Sequence, residues 1–227
     1  MNRSLSDLAA ALIVIPVALV LFAARTSGSS RQRAEPVAAP AFDAVSASAT
    51  EDTAVFAGGC FWGIEAVFDH VKGVKSAVSG YAGGNVSSPS YEQVSTGDTG
   101  HAESVQVIYD PSQVSYGKLL QIFFSVAHDP TQLNRQGPDH GTQYRSAIFY
   151  ITPQQQQVAE SYIRQLTAAK TFSRPIVTQV TRLHGFNRAE EYHQHYLAKH
   201  PDQLYIVIND QPKVAALKKE FPDVYRN

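Results

Sequence analysis

The pattern of hydrophobic and polar positions divides the chain into two unlike parts that meet near residue 52. Residues 8–24 form an uncharged apolar run, and the stretch after it is rich in alanine, proline and serine. From residue 52 onward, short apolar runs alternate with amphipathic stretches and with turns rich in glycine, proline and aspartate, as in a folded domain. We therefore predict a signal peptide or membrane anchor at residues 1–26, a flexible linker at 27–51 and one folded domain at 52–227.

The period of the hydrophobic positions within this domain changes repeatedly between that of a strand and that of a helix. Strands are predicted at residues 53–57, 74–81, 103–110, 144–151, 175–183 and 204–208. Helices are predicted at residues 60–71, 116–128, 153–170, 189–200 and 213–221. This order predicts an α+β fold, a two-layer domain in which helices pack on one face of a mixed sheet with a split β-α-β (ferredoxin-like) core.

The composition and the net charge of the chain limit the kinds of molecule that it is expected to bind. Of the 227 residues 44% are hydrophobic, which suits a protein with a substantial core, and the formal net charge is −1. Without an excess of basic residues the chain is not expected to bind nucleic acid. A single cysteine excludes an internal disulfide and any site built from several thiolates, so this thiol is either a buried structural group or a reactive one.

The N-terminal run also bears on the location of the protein. An export signal or anchor would place the folded domain outside the cytoplasm, periplasmic or secreted, with membrane contact only through this segment. Arg25, Arg31 and Arg33 follow the run and favour the opposite orientation by the positive-inside rule. An extracytoplasmic location is therefore the prediction, and an anchored domain that faces the cytoplasm is the alternative.

The cysteine lies in the segment GGCFWG, residues 58–63, between a predicted strand and a predicted helix. Gly58 and Gly59 would let the backbone turn tightly and a substrate approach closely. At Cys60 the free N–H groups and the dipole of the helix N-terminus favour a thiolate, and hence a reactive cysteine. The alternative is a small apolar side chain that only packs in the core.

Two nearby features extend the hypothesis of a reactive thiol. Trp62 falls on the opposite side of the predicted helix from the apolar stripe of Ile64 and Phe68, so it is either a pocket wall for a small apolar group or a packing residue. The turn-rich segment STGDTGHAE ends in two candidate acids or bases, His101 and Glu103. A poorly solvated carboxyl there could act as a general acid, whereas a solvated surface glutamate is the alternative.

The segment AEEYHQHYLAKH, residues 189–200, carries three histidines and two glutamates. A metal site is one interpretation, but His193 and His195 are two positions apart and would face different directions on a helix. A solvated helix face is the favoured alternative, and no metal site is predicted.

Six segments together resemble the A-type peptide methionine sulfoxide reductases, which reduce the S epimer of methionine sulfoxide. They are GGCFWG, GYAGG, PSYEQV, STGDTGHAESV, HDPTQLNRQGPDHGTQYRSAIFY and EYHQHYL, and the match covers about residues 55–200 in the order of the family. The resemblance implies an oxidoreductase that repairs oxidised proteins. In it Cys60 would attack the sulfoxide sulfur, become a sulfenic acid and release methionine.

The resemblance also implies roles for other residues of the site. Glu103 would protonate the departing oxygen, and the hydroxyls of Tyr91 and Tyr144 would help to hold it. Phe61 and Trp62 would enclose the S-methyl group of the substrate. The polar residues implied to line the site are Asp139, His193 and Tyr196. The implied chemistry needs no metal and no bound organic cofactor.

One departure from the family determines the expected partners. Many members carry resolving cysteines near the C-terminus, whereas this chain has no second cysteine. The resemblance therefore implies an external reductant, either a thioredoxin-like protein or a small thiol such as glutathione. The implied substrates are oxidised proteins and free methionine S-sulfoxide, and the protein is expected to be a monomer. The tail after residue 201 is interpreted as a packing element.

Two other functions fit the motif around Cys60. A cysteine at a helix N-terminus with a distant histidine also suits a cell-envelope cysteine hydrolase or transpeptidase. A non-catalytic module that binds oxidised methionine through Trp62 is the third hypothesis. Turnover without a reductant would indicate the hydrolase, and a sulfenic acid at Cys60 would exclude the binding module.

Overall fold

A six-stranded sheet and a small hairpin form the frame of the described chain. The strands are β1 (Asp52–Gly58), β2 (Val74–Ala82), β3 (Ala102–Tyr109), β4 (Arg135–Gln136), β5 (Asp139–His140), β6 (Ser146–Tyr150), β7 (Gln179–Arg182) and β8 (Phe186–Arg188). The order in the sheet is β7-β6-β1-β3-β2-β8, and β4 pairs with β5 in the hairpin. Neighbouring strands of the sheet are antiparallel except for β6 and β7, which are parallel.

The computed structural model describes residues 36–43 and 50–227. Within those ranges no helix is both long enough and apolar enough to cross a membrane. The predicted signal peptide or anchor at residues 1–26 lies outside the described residues, so it stays a prediction.

Helices in the connections between strands, and two more after the last strand, accompany this sheet. They are α1 (Phe61–Asp69), α2 (Tyr91–Ser95), α3 (Tyr116–Ile122), α4 (Pro153–Ala168), α5 (Tyr196–Lys199) and α6 (Gln211–Glu220). A π-helical turn, Phe123–Ala127, continues α3, and a second one, Ile206–Asp210, leads into α6. Two of these helices begin with a side-chain cap. The hydroxyl of Ser115 accepts a backbone N–H at the start of α3, and the hydroxyl of Thr152 accepts one at the start of α4.

The strand order confirms the predicted α+β fold and agrees with a split β-α-β core. Strand β3 lies between β1 and β2 and is antiparallel to both, so the two strands that α1 connects run parallel to each other. With β6 beside β1, the central order β6-β1-β3-β2 is the one expected of a ferredoxin-like arrangement. This topology places the turn between β1 and α1 in the middle of the sheet.

Aromatic side chains fill the space between the sheet and its helices. Phe56 of β1 is fully buried, and its ring stacks on Phe68 of α1 at 5.2 Å and on Phe123 at 4.9 Å. Burial of each such ring stabilises the fold by about 2–3 kcal/mol. This gain is larger than the small free-energy cost of placing phenylalanine in a helix. The stripe that predicted α1 is therefore also what fixes α1 on the sheet.

Three segments differ from the predicted secondary structure. The helix predicted at 189–200 is interrupted: a 3₁₀ turn, Glu191–His193, precedes His195 in the left-handed region (φ 51°), and α5 follows. The strand predicted at 204–208 is wrong, because this segment forms the π-helical turn that packs on α1. Its β-branched residues favour a strand locally, but tertiary packing decides the outcome. The short elements α2, β4, β5 and β8 were not predicted.

Residues 36–43, which we name the N-terminal strap, lie against α3 and α4. Val37 is buried, its N–H donates to Ser125 Oγ at 3.1 Å and its carbonyl accepts from Gln121 Nε2 at 2.7 Å. Asp43 accepts the N–H of Gly117 at 2.8 Å. Over these eight positions the chain differs from the flexible linker predicted at 27–51, because its backbone groups are paired with the folded domain.

Candidate active site

Cys60 lies at the N-terminal end of α1, directly after strand β1 and its glycine pair. Gly59 has φ +99°, and a Cβ there would come within 2.5 Å of Gln136, so this turn requires glycine. The thiol is free and only 7% exposed. The predicted position of the cysteine between strand and helix is confirmed.

The protonation state expected for Cys60 at a helix N-terminus is wrong. Burial raises the pKa of the Cys60 thiol well above its usual value, and the nearby carboxyls of Glu103 and Asp210 raise it further. The backbone N–H of Trp62 and the ammonium of Lys213 lower it, but less. Desolvation of a fully buried group shifts a pKa by several units, whereas a helix terminus contributes about 0.3–1 kcal/mol. The resting residue is a thiol.

Glu103 is the buried acid of the site. It lies on β3 opposite Tyr81 of β2, is 2% exposed, and its Oε2 accepts the N–H of Phe61 at 3.0 Å. Burial raises the pKa of Glu103 to about 8; the Phe61 N–H opposes this shift, and the carboxyls of Asp139 and Asp210 add to it. The side chain therefore holds its proton at neutral pH, as a general acid must.

Two tyrosine hydroxyls lie close to this carboxyl. Burial, and then the charge of Glu103, raise the pKa values of Tyr91 and Tyr144, so both are neutral donors over the physiological range. Tyr91 begins α2, and its N–H donates to Glu190 Oε1 at 2.8 Å. Tyr144 ends the 3₁₀ turn that precedes β6. Two connections distant in sequence thus bring their hydroxyls to one place.

An aromatic wall stands beside Cys60. The ring of Trp62 stacks on Tyr196 with centroids 3.8 Å apart, and its Nε1 donates to His193 Nδ1 at 3.1 Å. Phe61 is fully buried with its ring 5.0 Å from His193. Trp62 is part of the wall and partly exposed, while Phe61 belongs both to the core and to the base of the site.

The tail after residue 201 contributes groups that the sequence did not indicate. The hydroxyl of Tyr205 donates to Asp139 Oδ2, and its ring meets Trp62 edge-on at 6.0 Å. Asp210 pairs with Lys213 at 3.0 Å, and both lie so close to α1 that a Cβ on Gly63 would overlap them. The tail does pack, as interpreted, but it also forms one side of the site.

The structure brings together all of the residues that the sequence singled out for the site, with one exception. Around Cys60 and Glu103 lie the residues predicted to bind substrate, which are Phe61, Trp62, Tyr91, Asp139, Tyr144, His193 and Tyr196. The exception is His101, whose two ring nitrogens face the Gly84 N–H and the Val86 carbonyl. His101 therefore holds a loop and is no acid or base of the site.

This arrangement suits one kind of chemistry. A buried thiol beside a protonated carboxyl and neutral phenols can attack a polar but uncharged group whose leaving atom must receive a proton. Acyl transfer would instead require a base next to the thiol, whereas the Glu103 carboxyl beside it holds its proton at neutral pH. The hydrolase alternative is therefore not supported.

Comparisons with known proteins point the same way. A family model described as peptide methionine sulfoxide reductase matches residues 52–224. The chain is 60% identical to the protein named peptide methionine sulfoxide reductase MsrA 2 of Mesorhizobium japonicum over 174 residues, 77% of this chain and 89% of that relative. It is 52% identical to a protein of the same name from Synechocystis over 172 residues, 76% of this chain and 80% of that relative.

Two solved structures share the fold. One is Mxr1 from Saccharomyces cerevisiae in reduced form, with a TM-score of 0.61 and 35% identity over 68% of this chain and 88% of that one. The other is methionine sulfoxide reductase A of Corynebacterium diphtheriae, with a TM-score of 0.59 and 39% identity over 68% of this chain and 77% of that one.

Proposed function

Because the chain belongs to the peptide methionine sulfoxide reductase family, whose members reduce methionine sulfoxide and thereby repair oxidised proteins, we propose that Cys60 and Glu103 perform this reaction on the S epimer. The observation that carries the proposal is the pairing of a buried thiol with a carboxyl whose pKa is raised to about 8. Free methionine S-sulfoxide and oxidised methionine in exposed protein segments are the proposed substrates.

In the proposed complex the substrate's S-methyl group lies against Trp62. An apolar methyl gains by leaving water for an aromatic face, at about 0.8 kcal/mol for a group of this size. The sulfoxide oxygen then faces the hydroxyls of Tyr91 and Tyr144 and the carboxyl of Glu103, which are all neutral donors in the resting site. Selection between epimers follows, because exchanging oxygen and methyl would place the oxygen against the apolar wall.

The reaction moves one oxygen atom from the substrate sulfur to Cys60. Glu103 donates its proton to the sulfoxide oxygen while Cys60 Sγ attacks the sulfur, and the thiol proton passes to the carboxylate that remains. Protonation makes the substrate sulfur more electrophilic, so a thiol with a raised pKa can react. The hydroxyl then transfers to Sγ and methionine leaves. Cys60 loses two electrons, the substrate sulfur gains two, and the product on the enzyme is a sulfenic acid.

An external thiol completes the proposed cycle. The chain contains one cysteine, so the sulfenic acid cannot form an internal disulfide. An incoming thiol loses its proton and attacks Sγ as the thiolate, the hydroxyl leaves with that proton as water, and a second thiol then breaks the mixed disulfide. A thioredoxin-like dithiol supplies both thiols from one molecule, and glutathione supplies them from two.

A single-turnover experiment tests the proposed function. We expect the protein, mixed with excess methionine S-sulfoxide and no reductant, to produce one equivalent of methionine and one equivalent of sulfenic acid that dimedone traps at Cys60. Addition of dithiothreitol should restore continuous turnover, and the R epimer serves as the control that remains unreacted. Methionine production beyond one equivalent without reductant, or equal reaction of both epimers, would contradict the proposal.

We propose further that the N-terminal segment exports or anchors the enzyme outside the cytoplasm. The support is the uncharged apolar run at residues 8–24 followed by the linker composition of residues 27–51. In cells, protease added to intact spheroplasts should degrade the folded domain, or the domain should appear in the periplasmic fraction. Intact mass distinguishes a cleaved signal from a retained anchor. A domain protected from protease until the cells are lysed would show that it faces the cytoplasm.

A further inference from the structure

Three potential metal ligands meet between α1 and the segment that precedes α5. Glu65 and Asp69 are one helical turn apart on α1, and His195 approaches both from the segment before α5. One ligand atom from each residue lies within 4.8 Å of the other two. His195 Nδ1 is 2.9 Å from Asp69 Oδ2 and 4.0 Å from Glu65 Oε1.

Glu65 points an unpaired carboxylate oxygen into this cluster. The residue is 1% exposed, and its Oε2 accepts the N–H of His195 at 2.9 Å. Its Oε1 has no hydrogen-bond partner among the described residues. Burial, and then the charge of Asp69, raise the pKa of Glu65 to about 7, while His195 and, to a lesser degree, the Ser79 hydroxyl oppose this shift. Ser79 Oγ likewise has no hydrogen-bond partner within residues 50–227. A buried carboxylate that lacks a partner is costly unless it takes up a proton or a cation compensates it.

The backbone at His195 is adapted to this position. A left-handed conformation is uncommon for a residue other than glycine and persists only where its surroundings fix it. Here the N–H of His195 is bonded to Glu65 and the imidazole to Asp69. The imidazole is 54% exposed and Asp69 is 25% exposed, so an ion and its water ligands could reach the cluster from solvent.

From this geometry we propose that Glu65, Asp69 and His195 bind a divalent transition-metal ion, with Zn²⁺ as the ion best matched to the ligand set. Two carboxylates and one imidazole form a mixed oxygen and nitrogen site, which suits Zn²⁺ better than Mg²⁺ or Ca²⁺, and the fourth position is open to water. The sequence predicted no metal site because it paired His193 with His195. The fold separates these histidines and joins His195 to α1 instead.

The proposed site is distinct from the reaction centre but mechanically connected to it. His195 lies between His193, which accepts the hydrogen bond of Trp62, and Tyr196, which stacks on that ring. An ion bridging His195 to α1 would hold both residues against Trp62, since Trp62 is itself part of α1. The ion would thus stabilise the aromatic wall and take no part in oxygen transfer.

Metal titration of the purified protein tests this site. Zn²⁺ added during isothermal titration calorimetry should bind with one-to-one stoichiometry, and Co²⁺ should give visible d–d absorption without the charge-transfer band of a thiolate ligand. Asp69→Asn and His195→Gln should each weaken Zn²⁺ binding by about tenfold or more, since even loss of an outer-shell partner has that effect. Both side chains are partly exposed, so circular dichroism should show folded variants.

Two control variants separate this site from other zinc ligands. Cys60→Ser should retain binding, which excludes the catalytic thiol as a ligand, and His184→Gln should retain it too, because His184 is an exposed histidine outside the cluster. The proposal is overturned if Zn²⁺ does not bind stoichiometrically, if Asp69→Asn and His195→Gln bind it as well as the wild type, or if Cys60→Ser abolishes binding.

Discussion

Replacement of Cys60 by serine is expected to abolish reduction of methionine sulfoxide. Serine fills almost the same volume, but its hydroxyl is a far weaker nucleophile toward sulfur and cannot accept the oxygen as a stable product. Loss of a covalent nucleophile lowers kcat on the order of 10⁶-fold in well-studied enzymes, so we expect only the uncatalysed rate. The measurement is methionine formed from the S epimer with dithiothreitol as reductant, against a blank without protein.

The loss must be separated from unfolding. Cys60 is 7% exposed, and a hydroxyl is costlier to bury than a thiol, so Cys60→Ser should lower the free energy of unfolding by about 1–3 kcal/mol in urea denaturation and stay folded. If a folded Cys60→Ser protein still reduced the substrate above the blank, oxygen transfer through a sulfenic acid at Cys60 would be wrong.

The second large effect is expected for Glu103→Gln. Glutamine keeps the shape of the side chain, and its carbonyl oxygen can still accept the Phe61 N–H, but it has no acidic proton for the departing oxygen. General acid catalysis contributes about 10²–10⁴-fold, and we expect kcat/KM to fall by a factor in this range. Glu160→Gln on helix α4, distant from the site, is the matched control and should retain full activity.

The pH dependence adds a readout that loss of structure would not produce. In the wild type the acidic form of Glu103 is lost as pH rises through about 8, so kcat/KM should fall on the alkaline side if Glu103 is the acid, and Glu103→Gln should lack that decline. A variant with wild-type kcat/KM at pH 7, or with the same alkaline decline, would remove Glu103 from this role.

The stability of the wild type should also fall as pH rises. The pKa of Glu103 in the folded protein is above the ordinary value of 4.5, so between about 4.5 and 8 the native state binds more protons than the unfolded state. The wild type therefore loses stability as pH rises through this window, because an ionised carboxylate must be buried. Glu103→Gln cannot ionise and should gain stability relative to the wild type over the same range.

Much of the fold was predictable because its signals are local. The short apolar run of β1, the alternation in β3, the apolar stripe of α1 and the proline after Thr152 each specify one element, and their order then leaves few topologies. The position of Cys60 followed in the same way, from a strand, two glycines and a helix in succession. The roles of Glu103, Tyr91 and Tyr144 came from the family resemblance. The local pattern does not show that these three residues, which are distant in sequence, lie together in the fold.

What the sequence did not predict depends on contacts between distant segments. Tyr205 and Asp210 lie in a run of β-branched residues that resembles a strand, and only its packing on α1 turns it into a helical wall of the site. The thiol of Cys60 is another example. Its helix terminus is visible in the sequence, but the burial and the two carboxyls that raise its pKa come from β3 and the tail.

The N-terminal strap determines how the domain would withstand mechanical tension. Strand β1 leads directly into the turn that carries Cys60, so a pull applied at Asp52 would peel a central strand from the sheet and distort that turn. Force arriving from the N-terminus meets residues 36–43 first, where Val37, Ala38 and Asp43 are bonded to α3 and α4. If the enzyme is tethered at its N-terminus, movement of the tether therefore strains a surface attachment before it reaches the reactive cysteine.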